Sequence, residues 1–454
     1  MESNNLQKRD GFGSKLGIIA AAAGSAIGLG NIWKFPYITG ENGGAAFIIV
    51  YLICIALIGF PVMLSEFIIG RRAQKNAIGS FKKLAPGTPW FLTGWMGVVA
   101  AFFILAFYGV VAGWCLDYIV KAITNSFAGQ TTEQIGNAFT GLISNPWQPV
   151  IWQIIFMALT AFIVLAGVKD GIEKYAKILM PLLLGIIIIL DIRAITLPGS
   201  GAGLAFLFKP DFSKLSAQGV LTALGHAFFS LSLGMGTMIT YGSYIQKKEN
   251  LADTAIQVTI ADTLIALLAG VAIFPAVFAF GIEPGAGPGL VFVTLPNVFQ
   301  QMPGGYFFGL LFFILLTVAA LTSSISILEV VVAYVVEDMN INRKKAAVVA
   351  ALLITILGIP CSLAMGPMAN IKLLGGRNFF DTLDYIASNW LLPLGGLFIS
   401  IFVGWILGKE NVEDEVTCGG VKISYLPFFM FLARFIAPIA IAIVFLNGIG
   451  VLKF

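Results

Sequence analysis

Eleven runs of about 18 or more largely apolar residues follow one another along the chain, at roughly 16–38, 45–70, 88–122, 148–167, 175–197, 217–243, 254–282, 306–336, 345–365, 380–408 and 424–449. Hydrocarbon offers no water to a bare backbone, so runs of this length read as helices that close their own hydrogen bonds. The expected fold class is an all-α polytopic membrane protein. A charged fraction of 11% beside 58% hydrophobic residues agrees, because a soluble domain carries near a quarter charged. An odd number of spans sends the termini to opposite sides. Basic residues crowd the N-terminus (Lys8, Arg9, Lys15), the stretch after span two (Arg71, Arg72, Lys75, Lys82, Lys83) and those before span five and after spans six and eight. These stretches alternate, which places the N-terminus in the cytoplasm and the C-terminus outside.

Several classes drop out early. The basic, alanine-rich start resembles a signal peptide, but the apolar run continues past it and reads as the first span. Cys54, Cys115 and Cys361 lie within spans and Cys418 in a loop, so neither a disulfide framework nor a CxxC site is visible. The net charge of +4 follows from the inner loops and implies no nucleic-acid partner. One histidine, no HExxH and no GxSxG leave no catalytic residues to nominate, and an enzyme is not expected. The longest stretches between spans, 123–147, 198–216 and 283–305, are too short for a soluble domain. One membrane domain is expected over 1–454.

The segment AAAGSAIGLGNIWKFP at 21–36 then poses a problem, because it sets a glycine-rich run and an asparagine in mid-span. A dinucleotide fingerprint is excluded, since no strand precedes it. A helix-packing seam through Gly24 and Gly28 stays open. Unwinding is the third reading, and Asn31 favours it, because an amide in hydrocarbon is costly without partners. A second run, FFSLSLGMGTMITYGSY at 228–244, interrupts span six in the same way. Interrupted spans one and six sit at matching places in two halves of five spans, 16–197 and 217–408, with 424–449 as an eleventh. That arrangement points to an inverted-repeat transporter whose broken helices meet at the midplane.

The segments GSAIGLGNIWKFPY, ENGGAAF, FFSLSLGMG, TYGSY and LTSSISILE, in this order, closely resemble the neurotransmitter:sodium symporter family, over nearly the whole chain. The resemblance implies the 5+5 inverted-repeat fold of the bacterial leucine transporter, with spans one and six unwound and an eleventh helix added. Among subgroups the chain is most similar to bacterial transporters of tyrosine and other hydrophobic amino acids. The implied function is sodium-coupled import in a bacterial plasma membrane, with amino acid, sodium and lipid as partners and the oligomeric state open. The twelfth span of many members is missing.

The resemblance also implies a site. Span eight places Ala319, Thr322 and Ser323 at i, i+3 and i+4 on one face; hydroxyls there often bond back to their own helix. By resemblance they join the carbonyls of Gly24 and Ile27 as one sodium site. The other sodium would take the Ala26 carbonyl, the Asn31 side-chain oxygen, Ser230 and the substrate carboxylate. Asp262 in span seven, an acid that hydrocarbon tolerates only with a partner, would help bind this sodium and stand near where animal members carry chloride. Transport is then expected to be chloride-independent, with proton antiport on the return as a further possibility. The substrate carboxylate would meet Leu29, Gly30 and Tyr108, and its amine the carbonyls of Ala26, Phe229 and Ser230. Its side chain would face Ile104, Phe229, Ser232, Met235, Ser324 and Ile327. Gly28 stands where the monoamine branch has an aspartate, so the substrate should bring its own carboxylate. Lys34 would close an outer gate on Asp384, and His226 sits where a gate-lining glutamine is expected. Arg9 would close an inner gate on Glu337 or Asp338, with Tyr244 nearby. Glu66 would brace the unwound helices, and Gly171, ten residues before Pro181, would let the inner end of span five unwind.

Overall fold

The computed structural model describes residues 10–281, 287–417 and 425–452, and among them the chain is helical with no strand. Nine helices are long and apolar enough to cross a membrane, and the pair Lys15–Ala26 and Gly30–Glu41, bent by 49°, makes a tenth. Span six is two pieces, Ala217–Ser230 and Thr237–Gly242, each too short to cross alone. Counting it, all eleven expected segments are present. Span two runs Ala45–Ala73, three Phe91–Ile123, four Gln148–Leu165, five Val168–Ile195, seven Leu251–Ala279, eight Gly305–Asp338, nine Arg343–Leu363, ten Phe379–Ile406 and eleven Leu426–Gly448.

Span five starts seven residues before the expected 175. Its first turns, VKDGIE at Val168–Glu173, carry charges that a hydropathy reading assigns to the loop, yet they wind on as a wide i→i+5 turn. Gly167 at φ +95 closes the tight link from span four, a backbone conformation that suits glycine. Between spans the chain is not bare loop. Thr131 and Gln134 form a capping box that starts a helix at Thr132–Ser144, and Lys409–Val416 forms a short helix after span ten.

Span eight lies along span three for much of its length, and span one packs on spans five, seven and eight. Lipid is as apolar as leucine, so close approach of small residues carries such packing. A Cβ on Gly97 of span three would stand 3.1 Å from the Gly236 nitrogen, in the unwound part of span six. The broken backbones of spans one and six are thus held at the centre of the bundle, with span eight along one side.

Candidate functional site

Span one stops at Ala26 because Ile27 turns extended, at φ −73 and ψ 101, and the helix resumes only at Gly30. Span six stops at Ser230 and resumes after Gly236, with Ser232, Gly234 and Gly236 all at positive φ. Two patches of backbone carbonyls and amides therefore lie mid-bundle, only partly tied into helix bonds.

One polar cluster forms against span eight. Ser323 Oγ donates toward the carbonyls of Ser25, Ile27 and Gly24 at 3.1, 3.3 and 3.4 Å. Thr322 Oγ1 lies 3.5 Å from the Ile27 carbonyl and 3.0 Å from that of Ala319. Gly24, Ile27, Ala319, Thr322 and Ser323 are thus brought together, all buried. The back-bonding alternative is also present, since Thr322 reaches the Val318 carbonyl at 3.2 Å.

A second cluster joins spans one, six and seven. Asn31 Nδ2 donates to Asp262 Oδ1 at 2.7 Å and to Ser230 Oγ at 3.1 Å, and Ser230 Oγ lies 3.0 and 3.1 Å from the two Asp262 oxygens. Asn31 Oδ1 accepts the Gly28 N–H at 3.0 Å. Tyr51, outside the expected set, donates to Ser230 Oγ at 3.2 Å. Asp262 is fully buried, so its partners are these amides and hydroxyls rather than interfacial water.

Between the clusters lies a small cavity of about 20 Å³, lined by Ala26, Gly28, Leu29, Gly30, Ile104, Tyr108, Phe229, Ser232, Met235 and Ile327 of the expected set, and by Ser25 and Ser323 in addition; Ser230 is in the second cluster instead. Ser324 does not line it. Its hydroxyl lies 2.9 Å from that of Thr160 and 2.9 Å from the Leu321 carbonyl. Successive helix residues point about 100° apart, and with Ser323 turned to span one, Ser324 turns to span four. The Leu29 N–H donates to Tyr108 Oη at 3.2 Å. A Cβ on Gly28 would run into Ser323 Oγ and stand 2.9 Å from Tyr108 Oη. Glu66 Oε1 accepts the Gly234 N–H at 2.7 Å, so it does hold the unwound part of span six.

The outer-gate residues share a cavity without pairing. Lys34 and Asp384 line one cavity of about 110 Å³ directly above Phe229 and Tyr108, yet no ion pair joins them. The Lys34 ammonium sits 4.3 Å from the centre of the Phe229 ring, and Asp384 accepts from Ser388 at 2.8 Å. A lysine is a point charge without the arginine fork, and an aromatic face suffices to hold it. His226 is 3% exposed and lies against Phe35 and Tyr51, with no hydrogen bond to either nitrogen.

On the opposite side Arg9 lies outside the described residues. Glu337 accepts from the Asn76 backbone and side chain at 2.8 and 3.0 Å, and Asp338 accepts from Asn76 at 2.7 Å. The Tyr244 hydroxyl donates to Glu329 Oε1 at 2.7 Å, and Arg343 donates to the same carboxylate at 2.6 and 3.0 Å. Eight helical residues, about 12 Å of rise, separate Glu329 from Glu337. The missed signal was an acid inside LTSSISILE, which an apolar span tolerates only beside a cation. Phe12 packs on Tyr241 and Tyr244, its ring 5.5 and 6.1 Å from theirs.

The profile of the sodium:neurotransmitter symporter family matches residues 9–139 and 143–453. The uncharacterized sodium-dependent transporter YhdH of Bacillus subtilis is 45% identical, over 99% of this chain and 99% of its own. A sodium- and chloride-dependent GABA transporter 2 of Rattus norvegicus is 25% identical, over 92% of this chain and 77% of its own. The crystal structure of MhsT in complex with L-phenylalanine superimposes with a TM-score of 0.90 at 51% identity, covering 97% of this chain and 100% of that one.

Proposed function

The chain belongs to the sodium:neurotransmitter symporter family, with the leucine-transporter fold, and from that premise we propose that it imports hydrophobic or aromatic L-amino acids on two sodium ions by alternating access. The carrying observation is the oxygen cluster at span eight. Two oxygens about 2.4 Å from one hard cation, at right angles, stand about 3.4 Å apart. The Ser323 hydroxyl stands 3.3 and 3.4 Å from the carbonyls of Ile27 and Gly24, a spacing that suits one ion shared with Thr322 and Ala319. The other sodium would lie by Ala26, Asn31, Ser230 and Asp262, where Asp262 supplies a fixed negative charge in place of a mobile anion. Transport is then independent of chloride, and the empty carrier returns with a proton on Asp262.

Gly28 supports the substrate class. With Ser323 and Tyr108 closing on it, the site has no room for an acid side chain, so the substrate supplies the carboxylate. That group would replace Tyr108 at the Leu29 amide and take Gly30 as well. Ile104, Phe229, Met235 and Ile327 offer the side chain an apolar wall; the L-phenylalanine in MhsT favours the same reading. Residues 16–197 and 217–408 act as the two inverted repeats, in a bacterial plasma membrane with the N-terminus cytoplasmic and the C-terminus outside.

Uptake of radiolabelled tyrosine, tryptophan and leucine into proteoliposomes, without chloride, tests the reading. Accumulation above the outside concentration is expected with an inward sodium gradient and not when potassium replaces sodium. Binding without accumulation would replace the symporter with a receptor, and a chloride requirement would remove the role given to Asp262.

A further inference from the structure

Spans ten and eleven each contain a wide i→i+5 turn, at Phe402–Ile406 and Leu432–Ile436, and these two turns lie against each other. Such turns leave backbone carbonyls open to other donors, and here each span supplies the other. Ser400 Oγ donates to the Ala433 carbonyl at 2.8 Å and the Trp405 indole N–H to the Arg434 carbonyl at 3.2 Å, while Arg434 Nε donates to the Gly404 carbonyl at 2.6 Å. A Cβ on Gly404 would stand 2.9 Å from Arg434 Cγ and 3.1 Å from its Cα, so a glycine lets the arginine stem cross there.

That bond uses Nε alone. Among the described residues no acid pairs with Arg434 and no acceptor takes its two terminal nitrogens, although the side chain is half-buried. Its depth makes this costly. Gly404 lies three residues before span ten leaves its helix at Leu407 and five before the charged helix Lys409–Val416 begins, which puts Arg434 at the rim of the hydrocarbon, where a cation needs a counter-ion. Its surroundings are aromatic. Trp405, Phe431 and Phe435 are exposed on the same flank, with the Phe435 ring 5.5 Å from that of Trp405 and 5.8 Å from that of Phe431, and the guanidinium carbon lies 5.6 Å from the Trp405 ring centre. Tryptophan at this level is the usual neighbour of lipid headgroups.

We propose that Arg434 seats the headgroup of one anionic phospholipid between spans ten and eleven. The two terminal nitrogens donate to the two free oxygens of the phosphodiester, a match for the planar fork that a lysine does not offer, and the acyl chains lie along Trp405, Phe431 and Phe435. A second copy of the chain, meeting this strip by its own, would bring arginine to arginine; a lipid brings the missing counter-ion with it.

The test uses full-length protein in detergent micelles, titrated with phosphatidylglycerol, with phosphatidylcholine of the same acyl chains, or with inorganic phosphate, and followed by thermal unfolding. Phosphatidylcholine carries the same phosphodiester beside a cation, and inorganic phosphate lacks the chains. The parent's midpoint should rise saturably with phosphatidylglycerol, less with phosphatidylcholine and not with phosphate. Arg434→Gln should raise the phosphatidylglycerol concentration for half the rise about ten-fold, while Lys344→Gln, an exposed charge at the start of span nine, stays within about two-fold of the parent. Loss of the Gly404 bond alone lowers the midpoint equally in both lipids, so the difference between lipids, taken within each variant, is the quantity read. An equal response of the parent to both lipids overturns the seat, and that comparison needs no variant to fold. A parent-like half-point in Arg434→Gln, or the same protection by inorganic phosphate, overturns it as well.

Discussion

At one end of the bundle Glu329, with no exposed surface, holds Arg343 by two bonds and Tyr244 by a third, while Glu173 grips Gly13 and Ser14 and Lys15 pairs with Asp253. At the other end Lys34 rests on a phenylalanine ring, Asp384 accepts from a serine, and cavities of about 110 and 360 Å³ reach down beside Phe229. The first end is fastened by a buried, directional charge cluster whose members are costly to separate. The second is covered by an aromatic lid and a cation–π contact worth about 0.5–1 kcal/mol when exposed. This conformation is therefore sealed toward Glu329 and thinly covered toward Lys34.

Removing the charge that fastens the sealed end should have the largest effect. Glu329→Ala leaves Arg343 beside a buried gap, and stability should fall by about 3 kcal/mol, read as a lower midpoint in thermal unfolding. Glu329→Gln, which keeps an acceptor for Tyr244, should lose less. Unfolding of Glu329→Ala at the parent's temperature would break the contrast between the ends. Lys34→Arg should sharpen it instead. A guanidinium fork can reach Asp384 as lysine does not, and a solvated pair worth about 0.2–1 kcal/mol would slow substrate dissociation by up to about five-fold. An unchanged off-rate would mean that the aromatic lid alone sets the exit.

The smallest effect belongs to the surface beyond the sealed end. The hydrogen bond from Arg72 holds the Asp414 carboxyl below the usual carboxylate range, with Lys247 adding to it. The folded state thus favours the ionised form. Its contribution is complete above about pH 4 and fades as the pH drops through the lowered value. Because Asp414 is 54% exposed, the effect is slight; Asp414→Asn should flatten this part of the acid limb in a stability profile, and an identical profile would assign the limb to buried groups.

How much of this the sequence disclosed depends on what fixes each residue. Asn31 and Asp262 stood out in advance because each is a polar group that hydrocarbon tolerates only with partners, while their grouping with Ser230 came from the family resemblance. The breaks in spans one and six were equally legible, since glycine clusters beside such groups have few other uses. Ser324 was misplaced because Ser323 beside it is just as polar, and only the rotation of span eight decides which of them faces span one. The Lys34–Asp384 pair was implied by the family resemblance, but a lysine has several acceptable neighbours, and here it rests on the Phe229 ring. Glu329 was passed over within a quoted motif, because its partner, Arg343, lies in the next helix and no local spacing links them.

The interruption of span six bears on how such a chain is made. Pieces of 14 and 6 residues fall short of the roughly 20 needed to cross hydrocarbon, and the stretch between them takes part of its hydrogen bonding from other spans: the Gly234 N–H donates to Glu66 of span two, and Ser232 Oγ donates to the Ser25 carbonyl of span one. During synthesis span six is apolar enough to enter the bilayer but leaves its broken backbone incompletely paired there until its neighbours are in place. Its final pairing depends on spans one and two, made well over a hundred residues earlier, so the break that shapes the middle of the bundle also bears on the order in which the protein assembles.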